Sequence, residues 1–536
     1  NTVINAGKVF VTSMSNTDGV DNGSLGHLGN KLYINGGATL GFGSSMTMGN
    51  SIIAGEGGAT LNVGSGSTVL MKGSVFGSNT EDLIKDGAGQ LSIYSGNTIK
   101  RLIIKAGTVY DAANGHSCGD TIVFNGASGT MSYMNSTATN SAEVDPVNIS
   151  VPYGKTGTLW VDGRCTMTGK LVGEGTLNLY IQWVRNYLQG NWSAFKGTVN
   201  AYQQKTATYD PDFQLNNSYG LPNATLNVMS GTTINNMGNA FSIGVLGGTG
   251  TLTGTGTYTI GTKGTNFSFN TIINGSNVIK SGSSMWTIGS TQSQTAIGTI
   301  TVNQGILYLN NQSATTTMTG SNTMTISGTG ELSGNGYCGN PTVYIRTGAT
   351  LHPGSPTSLC PTGSISFSGT VNANAGSNVE FSMLNAKNYT SSHSYLKVGG
   401  TLIINGNINL NWYRSESTTY VPASGDSIIL WTANAFSGTP VLNLPELPDG
   451  LSWDTSDLLK PTGILRITST NGVSSISDNE TVRCNVYTIS GTKVSDFICT
   501  MNEVDNQISN SPLIAGTYII KIKGTRTSTT RKFIIK

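Results

Sequence analysis

The sequence predicts an all-β chain: a parallel β-helix, that is, a solenoid of stacked rungs, followed by a separate compact C-terminal unit. Three observations carry this expectation. Residues 1–470 consist of short segments that alternate apolar and polar positions, each about five residues long. These segments are punctuated by Gly, Asn and Ser, with 71 glycines among 536 residues, and no helical pattern between them is long enough for a βαβ crossover. A phrase of Gly, then Ala or Thr, then Thr or Leu, recurs as Gly37-Ala38-Thr39-Leu40, Gly58-Ala59-Thr60-Leu61, Gly157-Thr158-Leu159-Trp160, Gly175-Thr176-Leu177-Asn178, Gly250-Thr251-Leu252-Thr253 and Gly348-Ala349-Thr350-Leu351.

Residues 1–440 read as the repeats. Segments such as Ala59–Val63, Gln90–Tyr94 and Arg101–Lys105 put Thr, Val, Ile or Leu on one face and polar residues on the other. Strands this short cannot bury a face alone, whereas stacking rung on rung encloses a continuous apolar column. An array of β-sandwiches would also yield short strands and Gly-rich turns, so it remains the structural alternative. Residues 441–471 change character: Leu444-Pro445-Glu446-Leu447-Pro448 and Leu451-Ser452-Trp453 bring apolar anchors and two prolines, as expected of a cap and linker covering the open last rung. Residues 472–536 form the C-terminal unit. At the other end Val3–Val11 already reads as rungs, and Asn1-Thr2-Val3-Ile4 has no basic-then-apolar start; sequence upstream of Asn1 is therefore expected.

Charge narrows the function. Lys and Arg number 29 against 27 Asp and Glu, a net charge of +2 with only 10% charged residues, too little cationic excess for a nucleic-acid surface. No apolar run approaches the ~18 residues of a membrane-spanning helix. A polar, Gly/Thr/Asn-rich chain with six cysteines reads as an exported one. The cysteines fall into sequence-local pairs, Cys118 with Cys165, Cys338 with Cys360 and Cys484 with Cys499. Six thiols permit 15 pairings, and buried unpaired thiols are the alternative. His116 beside Cys118 has no second Cys or His at zinc spacing, so neither metal nor cofactor is expected.

Several phrases carry a family resemblance. Leu83-Ile84-Lys85-Asp86-Gly87-Ala88-Gly89-Gln90-Leu91 and Ile103-Ile104-Lys105-Ala106-Gly107-Thr108-Val109 are similar to the repeats of autotransporter passengers. So are Gly173–Leu179 followed by Gly190–Val199, Phe241–Leu252, and Gly348–Ser355 followed by Ser394–Gly400. The resemblance implies a right-handed β-helix displayed outside the cell and implies no single activity. Further on, Val486-Tyr487-Thr488-Ile489-Ser490-Gly491-Thr492-Lys493-Val494, then Leu513–Ile522, then Arg531–Lys536 resemble the C-terminal sorting domain of the type IX secretion system of Bacteroidetes. The opening Gly472-Val473-Ser474 departs from the Pro-Asn-Pro start common in that family.

That second resemblance implies a small antiparallel β-sandwich that addresses the chain to the outer-membrane translocon and a barrel-type shuttle. The positions it marks for the signal are Gly491, Lys493, Gly516, Tyr518, Lys521, Lys523, Arg531, Lys532 and Lys536. The basic ones could equally be solvated outer faces of two strands. Asp120-Thr121-Ile122 and Asp426-Ser427-Ile428 fit the short O-glycosylation pattern of that phylum, at Thr121 and Ser427.

Catalytic signals are sparse. Asn16-Thr17-Asp18-Gly19-Val20-Asp21 is similar to one motif of the polygalacturonases, β-helical enzymes that need several close carboxylates. No companion motif follows, and Asn-Thr-Asp-Gly is also an ordinary turn. Aromatics give the better lead: Tyr180, Trp183, Tyr187, Trp192 and Tyr202, with Arg185 and Tyr209 nearby, are dense enough in sequence to contact sugars, or else to pack a loop on the repeats. The expectation is a non-catalytic exported protein at the cell surface or beyond it, an adhesin, stalk or glycan-contacting surface. A polysaccharide lyase or glycosidase and a self-associating structural subunit are the alternatives.

Overall fold

In the computed structural model the described residues are 1–13, 24–27, 29–77, 80–94, 96–111, 119–126, 131–136, 143–162, 165–181, 186–204, 213–289, 294–311, 318–320, 323–358, 362–387, 392–413, 420–470, 478–525 and 528–535. The chain divides into two compact units, Asn1–Tyr420 with Ile428–Pro445 and Thr455–Leu465, and Val421–Ser427 with Glu446–Asp454 and Arg466–Lys536. The expected motif at 16–21, together with Cys118, Trp183, Arg185, Tyr209, Cys360 and Lys536, lies outside the described residues.

The first unit is all β, and its strands pair in parallel. One ladder joins Lys8–Val11, Thr39–Phe42, Ala59–Val63, Asp82–Asp86, Arg101–Ile104, Thr121–Phe124, Asn148–Val151 and Leu171–Gly173 in that spatial order. Another joins Gln90–Ile93, Thr108–Asp111, Met131–Ser136, Thr156–Asp162, Thr176–Ile181, Thr198–Gln203 and Leu221–Val228. Each strand pairs with its equivalent one repeat later, so Asn200 stands 22 residues after Asn178, and Asn227 stands 27 after Asn200. The loops absorb the irregular spacing and the strand register holds.

Alternation puts every second side chain inside. In Arg101–Ile104 and Thr121–Phe124 the buried members are Leu102, Ile104, Ile122 and Phe124. Stacked through the register they build columns, one of them Leu40, Leu61, Lys85, Ile104 and Phe124. The lysine in that column is as buried as its neighbours. Lys280 repeats the arrangement between Ile260 and Val302. Tight stacking of the turns explains the glycines. Gly107 has φ +70°, and a Cβ there would run into the carbonyl oxygens of Gly87 and Gly89 on the neighbouring turn.

Parallel pairing continues through Val441–Asn443, which lies against Asn407–Trp412. Near this end the buried Trp431 stacks on Phe436 with centroids 5.4 Å apart and donates its indole N–H to the Lys460 carbonyl at 3.0 Å. Gly463 lies against that ring, where a Cβ would not fit. Leu458 and Leu465 are fully buried. In the second unit Leu451–Asp454 pairs antiparallel with Arg466–Ser469.

The rest of the second unit is one four-stranded antiparallel sheet, in spatial order Lys493–Thr500, Thr481–Thr488, Gly516–Lys523, Ser528–Ile535. The expected β-sandwich is corrected here. Among the described residues, a 3₁₀ turn at Met501–Glu503 and an α-helix at Val504–Ser509 cover one face in place of a second sheet. Val504 and Ile508, four residues apart on one side of that helix, enter a core with Val482, Cys484, Val486, Cys499, Tyr518, Ile520 and Ile522.

Candidate functional site

The C-terminal sheet separates its basic residues onto two faces. Residues directly opposite on antiparallel strands point to the same side. Arg531 is opposite the buried Ile520 and therefore lies on the helix-covered face, 3.9 Å from Asp505. Lys532 is opposite Ile519, and Lys521 and Lys523 share that outer face with Asn485 and Arg483. Of the expected basic positions on these two strands that are described, Lys521, Lys523 and Lys532 thus lie on one side and Arg531 on the other. The Lys521 ammonium stands 5.5 Å over the Tyr487 ring, and exposed Ile498 and Ile534 flank the same face.

Two other expected signal residues shape this sheet. Gly491 takes φ +87° in the turn between the first two strands, with Thr488 N–H bonded to the Thr492 carbonyl at 2.9 Å. The Tyr518 ring is buried against Phe533, 5.6 Å between centroids, and its hydroxyl donates to the Ile514 carbonyl at 2.9 Å. Gly516 lies beside that ring. Lys493 is 3.4 Å from Asp496; with Arg483 it holds the Asp496 carboxyl below its ordinary range. Tyr518 is therefore a core residue, whereas Gly491, Lys493, Lys521, Lys523, Arg531 and Lys532 are exposed and within a partner's reach.

Cys484 and Cys499, expected as a pair, are both buried and stand as free thiols here. Cys484 is opposite Phe497 and Cys499 is opposite Val482, so the two are diagonal neighbours. Their thiols face each other and share a hydrogen bond. Burial pushes the Cys484 thiol up to about 12. Cys338 is likewise a free buried thiol pushed up to about 12 by burial. Cys165 begins the strand Cys165–Met167. Thr121 and Ser427 each begin a strand and are half-buried.

The aromatic residues separate as well. Trp192 is 1% exposed and donates its indole N–H to the Gly169 carbonyl at 3.2 Å, so it belongs to the core and cannot contact a glycan. Tyr187 lies on a different strand ladder, between Thr166 and Gln214. Tyr180 instead stacks with Tyr202, a member of the expected cluster, and with Trp160, which sequence reading did not include. It stacks on Trp160 at 4.2 Å and on Tyr202 at 4.4 Å, with planes within 11° and 5°. The parallel register places these rings one strand apart on a half-buried face. Beside them runs an amide ladder in which Asn200 donates to Asn178 and Asn227 to Asn200, both at 2.8 Å. Both faces of the Tyr180 ring are covered by its neighbours, which leaves a sugar only its edge.

A third arrangement has the outline of a nucleophile triad. His352 Nε2 is 3.2 Å from Ser382 Oγ, and His352 Nδ1 is 3.6 Å from Glu331 Oε1. Burial pushes the Glu331 carboxyl up, while hydrogen bonds from His352 and Ser333 pull it below its ordinary value. Ser382, however, is fully buried, and its N–H donates to Ser394 Oγ at 3.0 Å while its carbonyl accepts the Ser394 N–H at 2.7 Å. A serine covered in this way offers no approach to an acyl substrate.

The surface also holds a group of cavities around Tyr337. Three adjoining cavities, of about 250, 420 and 350 Å³, all include Tyr337 and Ser366 in their walls. The register sets Tyr337, Ser366, Lys397 and Thr432 in a row, one per strand. Sequence reading gave no signal for it, since those residues are scattered singly over nearly a hundred positions, counted about one per repeat.

Residues 462–536 match the family model for a secretion system C-terminal sorting domain. The chain is exported, to the cell surface or the extracellular space. The match begins ahead of the boundary expected at 472 and takes in the strand Thr462–Ser469. The sorting domain thus includes the whole antiparallel sheet and the helix that covers it. It also implies contact with the secretion machinery. No curated protein matches the chain. Among the described residues no helix is long and apolar enough to cross a membrane.

Proposed function

We propose that the chain is a type IX secretion cargo whose first unit winds as a right-handed parallel β-helix of autotransporter-like repeats and works without catalysis. On this reading it is an adhesin or stalk at the outer membrane, or a glycan-contacting surface beyond it. The sorting domain binds the outer-membrane translocon and a barrel-type shuttle through its outer face, where Lys521, Lys523 and Lys532 are exposed.

The observation that carries the proposal is the match of residues 462–536 to a sorting domain. Long runs of parallel pairing, one strand per repeat, support the β-helix. The burial of Ser382 and the single-residue spacing of most charges favour a non-catalytic role. Deleting 472–536 in a host with the type IX system is expected to leave the protein in the periplasm, read by cell fractionation and surface protease access; normal export of the deletion contradicts the proposal. Incubation with plant, algal and mucin polysaccharides is expected to release no new chain ends, and their release would establish an enzyme instead.

A further inference from the structure

We infer that the groove around Tyr337 and Lys397 binds an acidic saccharide. The inference deepens the glycan-contacting reading above and rests on it. Four features of the groove argue for this ligand class.

The first is charge. Lys397 is exposed in the middle of the row, between Ser366 and Thr432, and its ammonium makes no hydrogen bond or ion pair among the described residues. No residue lining the three cavities is acidic. An ammonium in a concave wall without a counter-charge recognises a carboxylate or a sulfate. Some other cations of the first unit are instead ion-paired: Arg101 to Asp82 at 2.6 Å and Lys196 to Glu174 at 3.5 Å.

The second is the supply of neutral polar groups. Ser364, Ser366, Thr432 and Asn434 line the same cavities and alternate along their strands. Hydroxyls and amides of this kind exchange hydrogen bonds with sugar hydroxyls, which are both donors and acceptors. The third is a pair of available rings. Tyr337 and Tyr395 line the largest of the three cavities, and among the described residues neither stacks on another aromatic ring. This is the reverse of Tyr180, both of whose ring faces are covered by Trp160 and Tyr202. The Tyr395 hydroxyl is fixed by Thr432 Oγ1 at 2.5 Å, which holds its ring in place.

The fourth is size. The largest of the three cavities, about 420 Å³, lies within the ~300–1,000 Å³ of small-molecule sites. Its neighbours extend it along the strand direction and across it, so a segment of a longer chain can lie through it.

The test measures binding of the full-length protein to polygalacturonate, dextran sulfate and dextran by calorimetry at low ionic strength. Binding to either acidic polymer, weakened by added salt and about tenfold by Lys397→Gln, is the expected result. Lys105→Gln, the same charge change at an exposed lysine just after the strand Arg101–Ile104, is expected to leave it unchanged. A preference for polygalacturonate assigns the carboxylate, and a preference for dextran sulfate assigns the sulfate. Equal binding of dextran, no binding of any polymer, or equal effects of Lys397→Gln and Lys105→Gln would overturn the inference. Surface export of the Lys397→Gln chain is scored in parallel, so that a failure of the sorting reading is seen separately from a failure of the groove.

Discussion

Lys85 and Lys280 are held in the same way: each ammonium donates to three backbone carbonyls, two from the turn that follows it and one from the next repeat. For Lys85 these are Asp86 at 2.8 Å, Gly87 at 2.6 Å and Ala106 at 3.0 Å. For Lys280 they are Ser281 at 3.0 Å, Gly282 at 2.8 Å and Gln304 at 3.1 Å. Each lysine ties two successive turns together from inside an aliphatic column. Replacement by Met fills the volume and leaves the carbonyls unpaired. Lys85→Met or Lys280→Met is expected to destabilise the protein by about 3 kcal/mol, against less than about 0.5 kcal/mol for Lys105→Met on the surface, measured by denaturant unfolding.

The same two residues give a pH dependence. Burial brings each ammonium down to about 8 in the folded chain, from 10.5. Between those values the unfolded chain binds more protons, so stability rises with pH across that window. The contribution is complete above 10.5 and absent below 8. Wild type is therefore expected to gain on the Lys85→Met variant by at most about 3 kcal/mol between pH 8 and 10.5, read from unfolding midpoints at matched pH. A constant difference would mean that the lysine titrates at its ordinary value.

Tyr180 is the middle ring of its stack and touches an aromatic on each side. Tyr180→Ala is expected to cost about 2 kcal/mol, since each stacked pair contributes ~0.5–1.5 kcal/mol beyond area burial. Tyr180→Phe keeps both stacks and should cost under about 1 kcal/mol. Burial and the neighbouring Tyr202 raise the Tyr180 hydroxyl above its ordinary value, and Tyr202→Phe should lower it in a spectroscopic titration.

The two faces of the sorting domain separate stability from recognition. Reversing Lys521, Lys523 and Lys532 to Glu is expected to block export while leaving thermal unfolding of the domain nearly unchanged. Arg531→Glu faces Asp505 and the core side and is expected to lower the melting temperature first. Fractionation and thermal melts of the two variants distinguish these outcomes.

The recurring Gly-Ala/Thr-Thr/Leu phrase made the strands legible, because the glycine marks a turn packed on the preceding turn and the apolar residues mark the inside. Other features were hidden by the same local reading. Lys85 sits at an inward position that alternation would reserve for an aliphatic residue; only the carbonyls of Gly87 and Ala106 make it tolerable there, and those come from folded turns. Sequence density alone leaves open whether Trp192 contacts sugars or packs on the repeats; the partner that settles it is a carbonyl on another repeat, Gly169, which accepts its indole N–H.

The helix Val504–Ser509 did have a local signal. Thr500 and Glu503 form a capping box, with the Thr500 N–H donating to the Glu503 carboxylate at 3.1 Å, and Val504 and Ile508 follow at helical spacing. Arg531 carries no such mark. Which face it takes depends on the register with Ile520, and its sequence neighbours do not set that register.

The account rests on the C-terminal residues acting as an address. Its most direct test grafts residues 462–536 onto the C-terminus of a fluorescent protein delivered to the periplasm of a cell with a type IX system. The account predicts fluorescence at the cell surface or in the medium, lost when the translocon is disabled. Fluorescence that stays in the periplasm, with the grafted domain folded and intact, would contradict it.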